Sequence, residues 1–239
     1  MPPPRRIDRF WAEFLGVDPD RLATPGVAVV AHAALGDYAG VWFFVRETTC
    51  IVSAPPAWCD PLRAALREQR LDSLLEPAGL DALFGPALAA TIGPAFHGWL
   101  EPERFRPRRA AAVREVGAAD ADAVAALRAD CGEAAWHAGD LRTAEPGAFG
   151  WFESGALVAA ASASPWAPGV VGPGVLCRPA ARRRGCGTAV VSAVAERALA
   201  RGELVVYQTL MENEAARGVA ARLGFAFYAT HLAVRLTRD

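Results

Sequence analysis

The sequence predicts an α/β protein, because stretches typical of strands and of helices alternate along it. Residues 170–176 are rich in β-branched and aliphatic side chains, and Pro179 ends this strand because proline cannot donate to a ladder. Residues 189–200 are rich in Ala, Val and Leu without Gly or Pro, and Gly202 stands where a helix C-cap is expected. Nearer the amino terminus, residues 41–53 are typical of two strands joined by a short turn.

Composition limits the classes of protein that this chain can be. Its 239 residues are 53% apolar and 21% charged, which is typical of a folded globular protein with one large or two modest domains. The net charge of −1 argues against a nucleic-acid or membrane-surface partner. Five scattered cysteines without a Cys-x-x-Cys pair predict neither a disulfide framework nor a zinc site. No stretch approaches the ~20 apolar residues of a membrane span, so we expect a cytoplasmic location.

The amino-terminal half contains several predicted elements. Residues 7–15 have the spacing of an amphipathic helix, and residues 27–31 predict a strand. Asp60 followed by a proline predicts a helix start, with the helix running to about residue 70. Residues 80–92 predict a further apolar helix, interrupted by a Gly-Pro pair.

A domain boundary is predicted near residue 105. Residues 101–109 are charged, contain two prolines and are short of aliphatic side chains. Residues 1–105 are therefore predicted to form a smaller α+β accessory domain, and residues 106–239 a second domain. The first half contains no recognisable catalytic or ligand-binding motif. This favours an accessory role, in which it shapes the substrate side or forms a dimer interface. His32 and His97 are isolated in the sequence and are interpreted as structural.

The second half begins with elements that frame its later motifs. Residues 112–116 predict a strand, and Asp120 is expected to cap the helix that follows it. Residues 149–163 predict a hairpin with a short turn. Residues 172–174, Gly-Pro-Gly, predict a bulge inside the next strand.

A turn rich in arginine and glycine joins the strand that ends near Cys177 to the helix of residues 189–200. Backbone N–H groups in the first turn of a helix have no internal partner, and glycine lets the backbone approach a ligand closely. Three arginines before Gly185 add forked donors that suit phosphate oxygens. The predicted ligand is a phosphate, contacted by successive N–H groups of Arg184, Gly185, Cys186, Gly187 and Thr188.

Two common phosphate loops do not fit this turn. A P-loop ends in Gly-Lys-Ser/Thr, and the chain contains no lysine. A dinucleotide fingerprint needs a third glycine where Val190 stands and an acidic residue at the tip of the next strand, whereas Glu203 precedes that strand.

The motif Arg182-x-x-Gly185-x-Gly187 resembles the acetyl-coenzyme A loop of the GNAT superfamily of N-acetyltransferases. A second segment strengthens this resemblance. The strand of residues 204–210 is followed by Asn213, a helical stretch and the sequence Leu223-Gly224-Phe225, which is similar to the family's signature.

The resemblance implies a GNAT acyl-CoA N-acyltransferase fold over residues 106–239, with a mixed, mainly antiparallel sheet. It implies acetyl-CoA as co-substrate and no metal, with splayed strands that admit the pantetheine arm. The amino-terminal half would then be an accessory domain or a degenerate GNAT-like copy. The implied cofactor-binding residues are Val175, Leu176, Cys177, Arg182, Arg183, Arg184, Gly185, Cys186, Gly187, Thr188, Asn213 and Ala216.

Direct acetyl transfer needs a base for the amine and a proton for the leaving thiolate. Glu133 and His137 are four residues apart and can share one helix face, which makes them base candidates together with Asp140. Where the family commonly has a tyrosine, this chain has Ala220. Tyr207 is therefore the predicted proton donor, with Tyr228 as an alternative.

The predicted function is transfer of acetyl from acetyl-CoA to an amine of a small molecule or amino acid. A protein acceptor, another acyl group and a homodimer stay open. The alternative is a non-catalytic module that binds or senses acyl-CoA, which the missing tyrosine at Ala220 suggests. A nicotinamide oxidoreductase is disfavoured by Val190 and by the lack of repeated βαβ units.

Overall fold

The computed structural model of this chain describes residues 5–67, 76–143 and 146–237. It divides into two compact units. Unit 1 contains Met1–His97, Thr209–Glu212 and Phe227–Asp239, and unit 2 contains Gly98–Gln208 and Asn213–Ala226. That residues 1–105 fold as a domain of their own stays a prediction.

Unit 1 consists of strands with helices on both faces. The predicted first helix and the hairpin are confirmed. The elements are α1 (Arg6–Leu15), β1 (Gly26–Ala31), β2 (Gly40–Arg46), β3 (Thr49–Ala54), α2 (Pro56–Ala65), α3 (Pro77–Phe84), most of β4 (Leu88–Leu100) and most of β10 (Ala226–Leu236).

The described strands of unit 1 lie in the order β1-β3-β2-β10-β4. β1 is parallel to β3, whereas β2 is antiparallel to both β3 and β10. Neighbouring side chains on a strand point to opposite faces, so Phe43 and Phe44 serve different cores. Phe43 contacts Phe84 of α3, and Phe44 lies 4.6 Å from the ring of Trp11 on α1. Two apolar layers therefore cover this sheet.

Two helix predictions in unit 1 are wrong at their boundaries. α2 begins at Pro56, where a proline fits the first helical position, so Asp60 lies inside the helix and does not start it. The predicted end near residue 70 lies outside the described residues. The helix predicted over residues 80–92 is instead α3, followed by the beginning of β4. An apolar run without clear periodicity does not distinguish a buried helix from a strand.

Unit 2 carries the motifs identified in the sequence. Its described strands lie in the order β9-β8-β7-β6-β5, with antiparallel pairs except for parallel β8 and β9. The predicted mixed, mainly antiparallel sheet is thus confirmed. The elements are β5 (Val113–Glu115), α4 (Ala121–Cys131), α5 (Glu133–Gly139), β6 (Phe149–Glu153), β7 (Ala156–Ala167), β8 (Val170–Cys177), α6 (Cys186–Ala200), β9 (Leu204–Leu210) and α7 (Glu214–Leu223).

Two local predictions in unit 2 are wrong. The pairing of β7 with β8 runs without a register shift through residues 172–174, and the shift lies in β7 between Pro165 and Ala167. Asp120 precedes α4, but its carboxylate accepts from the N–H of Gly117 at 2.9 Å and caps no amide of the helix itself. Short polar side chains often bond a nearby turn in this way.

Within the described residues, no helix has the length and apolar character that crossing a bilayer requires.

Candidate cofactor and acceptor site

β8 and β9 pair at one end and separate at the other. Val170 pairs with Leu204 and Val171 with Val205, and no further ladder pair is found between the described residues of these strands. β8 nevertheless continues to Cys177. We call the space beyond Val171 the β8/β9 gap, and it is the strand splaying that the resemblance implied.

Hydrogen bonds at the two ends of β8 show which residues face the β8/β9 gap. The carbonyl of Gly169 accepts from the N–H of Leu204 on the β9 side, at 2.9 Å. The N–H of Arg178 donates to the carbonyl of Val158 on the β7 side, also at 2.9 Å. The N–H and C=O groups of a strand residue point to the same neighbour and alternate along the chain. Residues 173, 175 and 177 therefore turn their main-chain groups toward the gap.

This alternation sorts the three predicted backbone contacts. Val175 and Cys177 face the β8/β9 gap, although the carbonyl of Cys177 already lies 3.4 Å from the thiol of Cys131. Leu176 pairs with Ala160 of β7, so its main-chain groups are turned away from the gap. Val175 thus offers both an N–H and a C=O, the pair of groups that an extended amide needs.

The turn after β8 contains two residues in the left-handed region of backbone conformation. Arg183 has a φ of 61° and Gly185 a φ of 88°, both in the left-handed region. Glycine adopts this conformation without steric cost, whereas it is uncommon for arginine. α6 then starts at Cys186, earlier than predicted, so the N–H groups of its first residues point out of the helix toward the turn.

Gly187 sets how closely α6 approaches β8. A Cβ atom at this position would lie 2.9 Å from the Sγ of Cys177 and 3.7 Å from a methyl group of Val175. The second glycine of the motif therefore brings the start of α6 against the strand that borders the β8/β9 gap.

The three loop arginines are not equivalent. Arg184 forms an ion pair with Glu153 at 2.6 Å. The side chains of Arg182 and Arg183 are exposed, and in the described part of the chain neither has a hydrogen-bond or ion-pair partner. Two guanidinium groups are thus available to an anion at this loop, while the third already has a carboxylate.

Asn213 ends the β9–α7 connection with a side-chain cap. Its Oδ1 accepts from the N–H of Ala216 at 3.0 Å. Asn213 and Ala216 were both predicted to contact the cofactor. The cap satisfies one of the orphan donors of α7 and fixes the start of that helix.

On the other face of the sheet, α5 approaches the second half of β8. A Cβ atom on Gly139 would lie 3.2 Å from the carbonyl of Val175, so the end of α5 lies beside the strand that borders the gap. The carboxylate of Glu133 binds Arg128 through two hydrogen bonds of 2.7 and 2.6 Å, and these bonds lower its pKa. The Nδ1 of His137 lies 2.7 Å from the carbonyl of Glu133. A carbonyl only accepts, so Nδ1 donates, and in the neutral ring Nε2 then has the free lone pair.

Tyr207 is buried on β9, and its ring lies 5.1 Å from that of Phe225. Burial, and to a lesser degree Cys177, raises the pKa of its phenol. Ala220, at the position where a tyrosine was sought, is also buried. The alternative phenol, Tyr228, belongs to unit 1 and donates to the carboxylate of Asp8 at 2.7 Å.

The thiols of unit 2 are neutral. Burial raises the pKa of Cys177 to about 11 and also raises that of Cys186. A protonated thiol is a poor nucleophile. Across residues 5–67, 76–143 and 146–237 no group of three His, Cys, Asp or Glu side chains is arranged to hold a metal ion.

Sequence reasoning missed one side chain beside this loop. The Nε of Arg222 on α7 lies 3.5 Å from the Oγ1 of Thr188 on α6. The sequence signal for this contact was the glycine at position 218, four residues before Arg222. A glycine one helical turn away leaves room for a guanidinium group.

In this part of the chain an open strand pair leads into a glycine-containing turn at the start of a helix. Residues 113–225, just under half of the chain, match the sequence profile described as the acetyltransferase (GNAT) family. No curated protein sequence matches the chain.

Solved structures support the fold. An acetyltransferase of the GNAT family from Colwellia psychrerythraea matches with a TM-score of 0.52 and 17% identity, over 66% of this chain and 61% of that chain. The match thus spans less than two thirds of the Colwellia protein. A protein assigned to the same family, from Novosphingobium aromaticivorans, matches with a TM-score of 0.52 and 20% identity, over 79% of this chain and 83% of that chain.

Proposed function

We propose that this protein transfers an acetyl group from acetyl-CoA directly to the amine of a small-molecule acceptor. The observation that carries the proposal is the continuity of the β8/β9 gap with the loop at the start of α6. Val175 offers an N–H and a C=O on the gap side, and Gly187 holds the helix start against the same strand. An extended amide arm and a pyrophosphate need these two features next to each other.

The phosphates would bind to the loop. Arg182 and Arg183 supply exposed guanidinium groups, and the first N–H groups of α6 supply donors aligned with the positive end of the helix dipole. Arg184 would orient the loop through Glu153 and is the least available of the three arginines.

The reaction forms a C–N bond and breaks the C–S bond of the thioester. We assign the base to His137, because its Nε2 has a free lone pair, whereas Arg128 lowers the pKa of Glu133 and weakens it as a base. Main-chain N–H groups on the gap side of β8 would stabilise the oxyanion. We assign the proton for the departing thiolate to Tyr207, whose phenol is protonated at neutral pH and whose pKa burial raises further.

A second candidate function is acyl-CoA binding without catalysis. The burial of Ala220 favours it, because that position can supply neither a phenol nor a water-exposed group. The two candidates share the cofactor site and differ only in turnover.

Thermal unfolding with acetyl-CoA, CoA and NAD in parallel, followed by thiol release with a panel of amines, tests both functions. A ligand at ~100 times its Kd adds about 2.7 kcal/mol of stability. For a chain of this size that is a rise of roughly 5 to 10 °C in Tm. We expect it with acetyl-CoA and CoA, not with NAD, and we expect Arg183→Glu to abolish it.

Arg201→Glu is the matched control, because it makes the same charge change at the far end of α6. A Tm rise retained in Arg183→Glu, or lost equally in Arg201→Glu, would contradict the assignment of the loop. Binding without thiol release across the amine panel would favour the non-catalytic function.

A further inference from the structure

Arg222 lies beside the first turn of α6, next to the proposed phosphate loop. Its Nε lies 3.5 Å from the Oγ1 of Thr188, three residues after Gly185. A Cβ atom on Gly218, one turn earlier on α7, would lie 3.3 Å from both terminal nitrogens of Arg222. The guanidinium therefore extends over a bare glycine toward the first turns of α6.

The positive charge of Arg222 has no carboxylate partner among the described residues. Its side chain is exposed. The nearby loop adds Arg182 and Arg183, and the start of α6 adds the positive end of its dipole. Like charges on one surface repel one another, and a bound anion would relieve that repulsion.

A basic segment extends the same surface. The N–H of Arg106 donates to the carbonyl of Leu223 at 3.0 Å, and the N–H of Arg108 donates to the Oγ of Ser192 at 2.8 Å. These bonds fix an arginine-rich stretch across the end of α7 and the middle of α6. The backbone of this stretch is therefore fixed beside the two helices that carry Thr188 and Arg222.

We propose that Arg222 binds the 3′-phosphate on the ribose of coenzyme A. This inference rests on the proposed function. Coenzyme A carries that third phosphate apart from its pyrophosphate, and a guanidinium forks onto phosphate oxygens with two parallel hydrogen bonds. Arg222 is thus a specificity-determining residue, which favours the nucleotide-bearing donor over an acyl group carried on phosphopantetheine alone.

Calorimetric titration with coenzyme A and with 3′-dephospho-coenzyme A tests this assignment. We expect the protein to bind coenzyme A about tenfold more tightly, the effect of a charge-assisted hydrogen-bond pair. In Arg222→Met the two dissociation constants become equal, while the value for the dephospho ligand stays that of the unsubstituted protein. That unchanged value also shows that the variant is folded.

Arg201→Met is the control, because it removes one exposed arginine of unit 2 without touching the loop. Equal affinities of the unsubstituted protein for the two ligands overturn the assignment of Arg222 and leave the proposed function intact. A loss of affinity for both ligands in Arg222→Met, or the same loss of preference in Arg201→Met, also overturns it. Absence of binding by either ligand overturns the proposed function itself.

Discussion

Replacing Gly187 by alanine perturbs the contact between α6 and β8. The new Cβ would lie 2.9 Å from the Sγ of Cys177, roughly 1 Å closer than ordinary van der Waals contact. Overpacking of this kind costs about 1–3 kcal/mol, because the strand or the helix must move. A free energy of 1 kcal/mol shifts the Tm of a chain this size by about 2–4 °C, so we expect Tm to fall by roughly 2–12 °C.

The same displacement reaches the proposed phosphate site. A misplacement of about 1 Å in a positioning group can cost a factor of ~10². We therefore expect the Kd for acetyl-CoA to rise by one to two orders of magnitude, measured by calorimetry alongside the Tm.

A double-mutant cycle separates this steric effect from a general one. Cys177→Ala removes the sulfur that the new methyl group would meet, so Gly187→Ala should cost much less in that background. Neighbouring residues typically show interaction energies of about 0.5–3 kcal/mol in such cycles. Strictly additive effects on Tm, or an unchanged Tm in Gly187→Ala, would refute the close approach described for this helix.

Three further predictions follow from buried and crowded groups. Burial lowers the pKa of His97 and of its partner His231, the latter to about 4, so both are neutral when folded. As the pH falls from about 6.5 to 4, the unfolded chain binds more protons than the folded protein. The free energy of unfolding, measured by denaturant titration, should therefore fall across that window and stay level above it. Tyr207→Phe should lower kcat by about 10²-fold with little change in KM, and an unchanged kcat excludes it as the acid. Gly218→Ala should raise the free energy of unfolding by about 1 kcal/mol, because glycine is a poor helix former. It should also weaken the preference for the 3′-phosphate by moving Arg222, and a preference unchanged in calorimetry would contradict that placement.

The loop and its flanking elements could be predicted because their residues act locally. Pro179 restricts the backbone at its own position, and Gly185 and Gly202 permit the left-handed conformation found at theirs, independent of what packs around them. The predicted order of strand, turn and helix was accordingly confirmed, and so was β9 over residues 204–210.

Features that depend on which distant residues of the chain pack against a segment could not be predicted in this way. Residues 80–92 are apolar in either a helix or a strand, and only their neighbours decide between the two. Leu176 lies between two predicted contacts in the sequence, yet strand alternation turns its main chain toward β7. His97 and His231 are 134 positions apart, and their 2.5 Å contact follows only from the fold.

Pro173 disfavours further pairing of β8 with β9 across the β8/β9 gap. Two neighbouring strands with unpaired main-chain groups tend to pair along their length, because each new hydrogen bond of the ladder satisfies a donor and an acceptor. Position 173 faces the gap and has no N–H to give, so one rung is missing whichever way β9 moves. Closing the β8/β9 gap would therefore gain one hydrogen bond fewer, which favours an opening that is formed before an extended arm binds.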